Sequence, residues 1–371
     1  MNILFADLDR EWRGGQSQAL LTLRGLENAG HRAELLAARK SPLAERCAAA
    51  GIAVSEVSRT ALRLSAARGL RRLTGGAHFD LLHLNEPHAL SAAWLAGAHQ
   101  RLPLLLSRRI GFPLRKSWVS RARYRAVTRF LANSNAVADS LLQCGIAPSR
   151  ISVVHEGVEI PPPTTGTQRA KARALWGVGD GDFLFGCVSV FVPEKGQRHL
   201  IEALSVLRRK HRNARLLLAG DGPTRAELEA LTANLGQNDA VLIPGFVQDV
   251  DSVYAALDAF VFPSEFEGLG TALQTAMARA IPSISTTRGA LGEVVTHEVT
   301  ALVAEPDELA LAAAMQLLIE DRALGQRLGE AGRREIEQRF SAARMVANTI
   351  EVYKQVLRGT PPCSLGPQRA G

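Results

Sequence analysis

Cysteine is scarce in this chain of 371 residues, which contains only four. Cys47, Cys144, Cys187 and Cys363 show no C-x-x-C spacing, which excludes a zinc ribbon and a dense disulfide framework. We expect reduced, mostly buried thiols. Apolar runs of the roughly 18 residues that a membrane-spanning helix needs are also lacking. The first residues enter an apolar run without a basic segment or cleavage site, so a cytoplasmic protein is expected.

Two kinds of site are missing as well. The phosphate-binding P-loop, G-x-x-x-x-G-K followed by Ser or Thr, does not occur. Neither a D-x-D motif nor a His/Cys cluster with metal-ligand spacing stands where a metal site is plausible. We therefore expect catalysis without a metal ion and without a cofactor.

Short apolar runs alternate with longer amphipathic segments, which is typical of parallel sheets with crossover helices. The length favours about two domains. The predicted fold is α/β, with two doubly wound domains facing each other across a cleft at the carboxyl ends of their strands. Strands are predicted at 2–8, 33–37, 80–84, 103–107, 129–132 and 151–154 in the first half, and at 183–190, 214–219, 240–243, 259–262, 282–286 and 301–303 in the second.

A stretch rich in Pro and Thr, residues 160–166, interrupts this alternation and predicts the linker. The domains are expected to span 1–163 and 164–340, with a last helix at 341–357. The tail at 358–371 has three prolines and few apolar residues, so it is expected to be disordered.

The most informative segment follows the predicted strand 259–262. Glu267, Gly268 and Gly270 stand between that strand and a helix predicted at 271–280. Glycines let the backbone approach a ligand closely, and the free N–H groups of a helix start attract an anion. The Glu267 carboxylate can accept hydrogen bonds from hydroxyl groups. This combination indicates a sugar joined to a diphosphate, although for these residues alone an ordinary turn with a surface glutamate is the simpler interpretation.

The segment 263–282, PSEFEGLGTALQTAMARAIP, resembles the donor-binding loop of the retaining, nucleotide-sugar-dependent glycosyltransferases of family 4, which have two Rossmann-like domains in the GT-B architecture. The resemblance implies donor contacts from Glu267, Gly268, Leu269, Gly270 and Thr271. It also implies that the last helix packs back toward the first domain. A second acidic residue normally stands eight positions after the first, but here Thr275 occupies that place, with Gln274 beside it. A threonine hydroxyl can bond a ribose without the charge of a carboxylate.

Two further loops are similar to donor-side loops of this family. Gly14-Gly15-Gln16 follows the first strand and precedes an apolar-periodic helix, in the place of the family's N-terminal glycine loop; a plain turn is the alternative. Lys195, followed by a glycine, matches the family's lysine that neutralises the donor diphosphate, and Lys195 is predicted to be catalytic together with Glu267. The usual partner arginine, five positions earlier, is Val190, and a solvated loop lysine is the alternative.

Polar residues also follow two predicted strands of the first half. Glu86 and His88 are candidates for contacting acceptor hydroxyls, while His83 is as well explained as a packed strand residue. Where many relatives carry a histidine, this chain has Arg108 and Arg109, which indicates a subgroup resembling lipopolysaccharide-core transferases. Either arginine could bind a phosphate of donor or acceptor, and Arg108 is also predicted to assist catalysis.

Smaller signals in the second half fit the same plan. Gly222 follows a buried strand and opens a helix. Phe246 and Val247 follow a Pro-Gly turn, where relatives hold the nucleobase against an apolar wall. Both are predicted donor contacts by position alone.

Charge is unevenly distributed between Arg101 and Arg129. This stretch has eight arginines, one lysine and no acidic residue, with Phe112, Trp118 and Tyr124 interleaved. Such a face suits the headgroups of an anionic membrane or a phosphorylated glycan. Nucleic acid could bind a basic, aromatic-bearing face too, but it is not the expected partner, and a merely solvated basic helix is the simplest alternative.

The sequence therefore predicts a retaining glycosyltransferase that moves a sugar from a nucleotide-diphosphate donor to a hydroxyl of an envelope glycan or lipid-linked acceptor. Retention is implied by the resemblance alone. A nucleotide-sugar epimerase or hydrolase of the same architecture, and a non-catalytic protein that binds anionic lipid or nucleic acid, stay open as alternatives.

Overall fold

The computed structural model describes residues 1–76, 79–109 and 117–359, which form two compact units. The first unit runs from Met1 to Gly157 and resumes at Ala342, and the second runs from Val158 to Ser341. The chain therefore passes between units before the Pro- and Thr-rich stretch expected as the linker. Cys363 and the tail from residue 360 on lie outside the described residues.

The first unit is built on a seven-stranded parallel sheet. Its strands are β1 (Asn2–Asp7), β2 (Arg32–Ala38), β3 (Ala53–Val57), β4 (Leu81–Leu84), β5 (Leu104–Arg108), β6 (Arg129–Ala132) and β7 (Ile151–Val153), in the spatial order β3-β2-β1-β4-β5-β6-β7. The order of the strands reverses between β1 and β4. In open α/β sheets, ligands bind beyond the carboxyl ends of the strands at such a reversal.

Helices cover both faces of this sheet. They are α1 (Gly14–Asn28), α2 (Pro42–Ala49), α3 (Leu62–Gly75), α4 (Pro87–Leu95), α5 (Trp118–Arg125), α6 (Asn135–Gln143) and, from the end of the chain, α14 (Ala342–Leu357). Alternate strand residues enter two separate cores: Leu4 packs with residues of α3 and α4, and Phe5 packs with residues of α1, α2 and α14. The α14 helix lies against α1, where Gly25 leaves room for the side chain of Val346.

The second unit has a six-stranded parallel sheet. Its strands are β8 (Phe183–Val188), β9 (Ala214–Ala219), β10 (Val241–Gly245), β11 (Ala259–Phe262), β12 (Ser283–Ser285) and β13 (Leu302–Val303), in the order β10-β9-β8-β11-β12-β13. The helices are α7 (Gly166–Leu175), α8 (Gln197–Leu207), α9 (Arg225–Asn234), α10 (Val250–Ala256), α11 (Thr271–Ala278), α12 (Glu308–Glu320) and α13 (Arg322–Arg339). Here the strand order reverses between β8 and β11.

Two parallel, doubly wound sheets confirm the predicted fold class. The predicted strands at 129–132, 214–219 and 259–262 have the bounds found in the structure, and the others differ by one or two residues at one or both ends. One strand, β3, was not predicted. It lies at the edge of the sheet and most of its side chains are half-exposed or exposed, so its sequence, AVSEV, lacks the apolar run of the central strands.

The described cysteines are free, and Cys47 and Cys187 are buried. Burial raises the pKa of Cys47 to about 12 and that of Cys187 to about 11, so both thiols stay protonated at neutral pH. Among the described helices, none has both the length and the apolar content to cross a bilayer.

Candidate active site

Three loops meet at the carboxyl ends of β8, β11 and β12 in the second unit. The backbone N–H of Glu265 donates to the carbonyl of Glu194 at 2.9 Å, which ties the loop after β11 to the loop after β8. The Thr286 hydroxyl, just after β12, donates to the carbonyl of Ser264 at 2.7 Å. Ser264 and Thr286 are buried, so these bonds hold the loops together away from water.

The loop after β11 carries the predicted donor-binding residues. Leu269 is 1% exposed and anchors the loop in the core, while Gly268 is only half-buried. Gly270 has the left-handed φ of 71° and is the N-cap of α11, which begins at Thr271. Because glycine has no side chain to cap the helix, the first N–H groups of α11 keep their capacity to bind an anion.

Lys195 and Glu267, the two predicted catalytic residues of this unit, form an ion pair. Their side chains are 16% and 17% exposed, so both charges are largely removed from water. Gly196, which follows Lys195, has φ 70°, and a Cβ there would lie 2.6 Å from the carbonyl oxygen of Pro263. Only glycine fits this approach of the two loops. The structure thus brings together a cation suited to a diphosphate and a carboxylate suited to sugar hydroxyls.

Gly289, in the loop after β12, is a residue of this site that the sequence interpretation missed. It has φ 63°, and a Cβ there would lie 2.3 Å from the carbonyl oxygen of Glu267. The next residue, Ala290, donates its N–H to the same oxygen at 3.3 Å. The loop after β12 therefore contacts and positions the backbone of Glu267. A glycine shortly after a strand end was the available signal.

Val190 and Thr275, the two positions that depart from the family pattern, both have protein contacts. Val190 is 50% exposed, and its carbonyl accepts a hydrogen bond from the Gln197 side chain at 2.9 Å. The Thr275 hydroxyl donates to the carbonyl of Thr271 at 2.7 Å, so only its acceptor lone pairs remain for a ligand. Gln274 is fully buried, and its amide has no hydrogen-bond partner among the residues that the structure describes.

The remaining predicted donor contacts lie at the ends of β9 and β10. Gly222 lies between β9 and α9, which begins at Arg225. It packs against the neighbouring loop, where a Cβ would lie 2.3 Å from the carbonyl oxygen of Phe191. Phe246 is 76% exposed and Val247 is half-buried. An exposed aromatic ring at a strand end can stack on a planar base.

In the first unit, Gly14 and Gly15 form the start of α1. Gly14 is exposed and Gly15 is half-buried, which leaves their backbone accessible. Gln16 is 4% exposed, and its amide donates to the Asp7 carboxylate at 3.0 Å. The side chain that was predicted to orient a ligand therefore points into the protein.

The Arg109 guanidinium is held by protein groups. Nε donates to Glu156 at 2.6 Å, and Nη1 and Nη2 donate to the main-chain and side-chain oxygens of Asn85 at 2.9 and 2.8 Å. This geometry does not favour the predicted bidentate phosphate contact. Arg108 is half-buried, and burial lowers the pKa of its guanidinium. Both arginines line a cavity of about 30 Å³, together with Thr22, His83, Ser107, Leu131, Asn133, Val154, Glu156, Met345 and Thr349.

The predicted acceptor residues Glu86 and His88 belong to the start of α4. The Glu86 carboxylate is the N-cap, and it accepts hydrogen bonds from the backbone N–H groups of Leu8, His88 and Ala89. Burial raises the pKa of Glu86 to about 7. His88 is exposed, and its Nδ1 lies 2.9 Å from a guanidinium nitrogen of Arg63. The Glu86 carboxylate is thus engaged by backbone N–H groups, whereas the His88 side chain is accessible to solvent.

His83 is a packed residue in this structure. Its Nδ1 contacts the Tyr353 hydroxyl of α14, and its Nε2 lies 2.7 Å from the Ser107 hydroxyl. Burial lowers the pKa of His83 to about 3, so the ring is neutral at physiological pH. The residue joins β4 to β5 and to α14.

Within residues 1–76, 79–109 and 117–359, no group of three or more His, Cys, Asp or Glu side chains is placed to hold a metal ion.

Two family models match consecutive parts of the chain. Residues 12–160 match "Glycosyltransferase Family 4", and residues 168–335 match "Glycosyl transferases group 1". The lipopolysaccharide core biosynthesis glycosyltransferase LpsD of Rhizobium meliloti is 35% identical over 194 residues, 52% of this chain and 53% of that protein. The uncharacterized glycosyltransferase YqgM of Bacillus subtilis is 25% identical over 295 residues, 78% of this chain and 81% of that protein.

Solved structures share the fold of the chain. Anabaena Alr3699/HepE, in a crystal structure with UDP and glucose, has a TM-score of 0.83 and 22% identity, over 95% of this chain and 99% of that chain. A glycosyltransferase from Rickettsia africae ESF-5 has a TM-score of 0.86 and 21% identity, over 97% of this chain and 99% of that chain.

Proposed function

The chain belongs to family 4 of the GT-B glycosyltransferases, and we propose that it moves a sugar from a nucleotide-diphosphate donor to a hydroxyl of an envelope glycan or lipid-linked acceptor, with retention of anomeric configuration. The observation that carries this proposal is the Lys195–Glu267 ion pair beside the glycine-rich start of α11. The crystal structure of Alr3699/HepE with UDP and glucose supports a nucleotide sugar as the donor.

The site residues divide the chemistry as follows. The N–H groups of Gly268, Leu269 and Gly270 hold the diphosphate, and Lys195 stabilises the negative charge that builds on it as the sugar departs. Glu267 accepts hydrogen bonds from the sugar hydroxyls once Lys195 turns to the diphosphate. Thr275 bonds the ribose through its lone pairs.

A panel of nucleotide sugars, each with and without lipid-linked and glycan acceptors, tests this function. Sugar transfer that needs both substrates supports it, whereas conversion of a donor without any acceptor would indicate an epimerase or a hydrolase. An absence of both reactions and of any nucleotide-induced thermal shift would favour a non-catalytic protein.

Two substitutions test the site assignment. Glu267→Gln and Lys195→Met keep the approximate side-chain volume and remove one charge each, and we expect transfer to fall by about 10²–10³-fold. Glu265→Gln is the matched control, since Glu265 lies on the same loop with a side chain that is 54% exposed. Near-normal transfer by both site variants would overturn the assignment.

We also propose that transfer needs no metal ion, because Lys195 supplies the positive charge that the diphosphate requires. Transfer should persist in excess EDTA. Loss of activity with EDTA and recovery with Mg²⁺ or Mn²⁺ would contradict this.

For the acceptor side, the proposed partner is the anionic inner face of the cytoplasmic membrane. The basic run 101–129 is only partly available for it, because Arg109 is held by Glu156 and Asn85, and Arg129 is 5% exposed and donates to Ser152. Arg123 donates to the Ser91 hydroxyl. Residues 110–116 of the run lie outside the described ranges.

A second helix, α3, adds exposed arginines near those of α5. The α3 and α5 helices both pack against α4, and none of the three contains an acidic residue. Their exposed arginines are Arg63, Arg68, Arg71, Arg72, Arg121 and Arg125. Three apolar side chains on the same helices are more than half exposed, Leu64 at 55%, Leu95 at 54% and Trp118 at 78%. Cations with exposed apolar residues among them suit an anionic bilayer surface.

Sedimentation with vesicles tests the membrane contact. Binding to phosphatidylglycerol vesicles should exceed binding to phosphatidylcholine vesicles and should weaken as salt rises. We expect the triple variant Arg71→Gln, Arg72→Gln, Trp118→Ser to lose at least tenfold in vesicle affinity. The control is Arg209→Gln with Arg212→Gln, two exposed arginines of the other unit. Equal losses in both variants, or preferential binding to nucleic acid, would overturn the assigned surface.

A further inference from the structure

A buried polar cluster lies at the carboxyl ends of five neighbouring strands in the first unit. Its members follow or end β1, β4, β5, β6 and β7 and are Asp7, Asn85, Arg109, Asn133 and Glu156. Asp7, Asn85, Asn133 and Glu156 are at most 9% exposed, and the Arg109 side chain is 21% exposed. Buried groups of this kind persist only when they are hydrogen-bonded.

The hydrogen bonds run from one side of the sheet to the other. Asn133 donates to Glu156 at 3.2 Å, and Glu156 accepts from Arg109. Arg109 donates to the Asn85 side-chain oxygen at 2.8 Å, and the Asn85 side-chain nitrogen donates to Asp7. The same nitrogen also donates to the carbonyl oxygen of Gly15 at 3.2 Å.

This last bond connects the cluster to the glycine turn at the start of α1. Asp7 holds the following residue, Gln16, at 3.0 Å. The Arg109 side chain closes a third side, since its Cδ lies 3.8 Å from the place of a Cβ on Gly15. Groups at the ends of β1, β4 and β5 therefore hold the turn on its buried side, while Gly14 stays exposed.

Asn85 has a role in this arrangement that a carboxylate would not fill. It must accept from Arg109 with its oxygen and donate to both Asp7 and Gly15 with its nitrogen. Asp7 and Glu156 are two carboxylates around one guanidinium, so a third carboxylate at position 85 would add like charge beside Asp7. Burial already raises the pKa of Asp7.

We propose that Asn85 is a positioning residue that fixes the Gly14–Gly15 turn, and that the Arg109–Glu156 pair in turn fixes the orientation of Asn85. Neither Asn85 nor Arg109 needs to touch a substrate for this role. The proposal rests on the proposed function only in its kinetic consequence, which is that a loosened turn lowers transfer more than it lowers overall stability.

Hydrogen exchange of the full-length protein tests the proposal without a substrate. Asn85→Asp preserves the side-chain volume and the acceptor for Arg109 but removes the donor to Gly15. We expect amides of residues 14–18 to exchange at least tenfold faster, while strands of the second unit are unchanged. Asn213→Asp is the matched control, since the Asn213 side chain donates to the carbonyl of Gly181 in the second unit at 2.7 Å.

A second variant separates positioning from stability alone. Asp7→Asn combined with Asn85→Asp exchanges the donor and the acceptor between the two side chains and keeps the net charge. It should recover much of the thermal stability lost in Asn85→Asp, yet residues 14–18 should still exchange fast, because Asp at position 85 has no donor for Gly15. Slow exchange at 14–18 in either variant would overturn the proposal.

The kinetic arm uses the donor and acceptor pair identified for the wild type. Transfer by the double variant should fall at least tenfold although its stability recovers, and wild-type transfer by the double variant would count against the positioning role. If the wild type transfers no sugar at all, the proposed function fails, and the exchange measurements still decide the role of Asn85.

Discussion

At the scale of single residues, the structure shows which predicted side chains are committed to the protein and which remain for a ligand. Lys195 and Glu267 form an ion pair with each other. In the proposed complex the diphosphate replaces Glu267 as the partner of Lys195, and the sugar hydroxyls replace Lys195 as the partner of Glu267. Gln16, Glu86 and Arg109 have protein partners for their polar groups. Gln16 bonds Asp7, 9 positions away, and Arg109 bonds Glu156, 47 positions away. Glu86 bonds Ala89, 3 positions away, which is a local helix-capping pattern, but it also bonds Leu8, 78 positions away.

Thr275→Glu restores the carboxylate that the family usually has. The replacement gives up the bond from the Thr275 hydroxyl to the carbonyl of Thr271 and the contact of that hydroxyl with Tyr254. A charge-assisted bond to the ribose should leave the Kd for UDP, ADP or GDP unchanged or lower it by up to about tenfold. Calorimetric titration of both proteins measures this. A large loss of nucleotide affinity would show that Thr275 has a different role.

Glu86 predicts a pH dependence of stability. Burial raises the pKa of Glu86 from 4.5 to about 7 in the folded protein. Between these values the unfolded chain releases the proton first, so the unfolding free energy falls as the pH rises from about 4.5 to 7 and then levels off. Glu86→Gln has no such proton. Relative to this variant, the wild type should lose on the order of 1–3 kcal/mol across that window.

Urea unfolding of both proteins at pH 5 and pH 8 is the measurement. The difference between wild type and variant reports the titration of Glu86 together with its electrostatic coupling to Asp7, because all other groups are common to both. Parallel stability curves would show that the three backbone N–H bonds to the carboxylate outweigh its burial.

At the scale of helices and strands, close approaches between elements decide where each one ends and what it touches. The α11 helix ends at Ala278, two residues before the predicted end, and Ala280 has the left-handed φ of 57°. Pro282 follows and has no N–H to continue a helix. The α14 helix lies against α1 in the first unit, although it follows the second unit in the chain. No local pattern predicts this place, which was indicated by the family resemblance.

Gly25→Ala tests the α1–α14 contact. A Cβ at position 25 would lie 2.3 Å from one methyl carbon of Val346. The new methyl group therefore overpacks the contact, and we expect a loss of about 1–3 kcal/mol in unfolding free energy although alanine favours the helix itself. Adding Val346→Ala should recover part of this loss, as a coupling energy in a double-mutant cycle.

Gly75→Ala is the control for the backbone effect, since a Cβ at that helical position has no neighbour within 4 Å. It should be neutral or slightly stabilising. A similar loss in Gly25→Ala and Gly75→Ala would mean that the α1–α14 contact is not the cause.

At the scale of the whole molecule, the residues proposed for the donor all lie in the second unit, apart from the Gly14–Gly15–Gln16 turn. Lys195, Glu267 and Thr275 come from loops and a helix that follow β8 and β11, which adjoin at the reversal of strand order. The two sheets have the same parallel construction, and each unit carries a largely buried ion pair beyond the ends of its strands, Arg109–Glu156 in the first and Lys195–Glu267 in the second. In the first unit the pair belongs to the wider hydrogen-bonded cluster around Asn85.

This division predicts where a nucleotide protects the chain. A saturating nucleoside diphosphate should slow hydrogen exchange in residues 189–197 and 263–275 of the second unit, measured on the full chain by mass spectrometry. A nucleoside without phosphates is the control and should protect these segments much less. Protection confined to the first unit would contradict the assignment of the donor loops.

The amino-acid sequence by itself determined the fold class and most strand positions, because these depend on local information such as apolar runs and the glycines and prolines between them. The assignment of the loop around Glu267 and of Lys195 to a sugar donor came from the family resemblance and stays a prediction. Tertiary structure alone decided that Asn85, Asp7, Arg109 and Glu156 form one buried cluster, that part of the basic run 101–129 is internal, and that Gly289 seats Glu267. The physical reason is that a parallel sheet brings the ends of distant strands together, and the partners of a buried polar group are set by that assembly rather than by its neighbours in the chain.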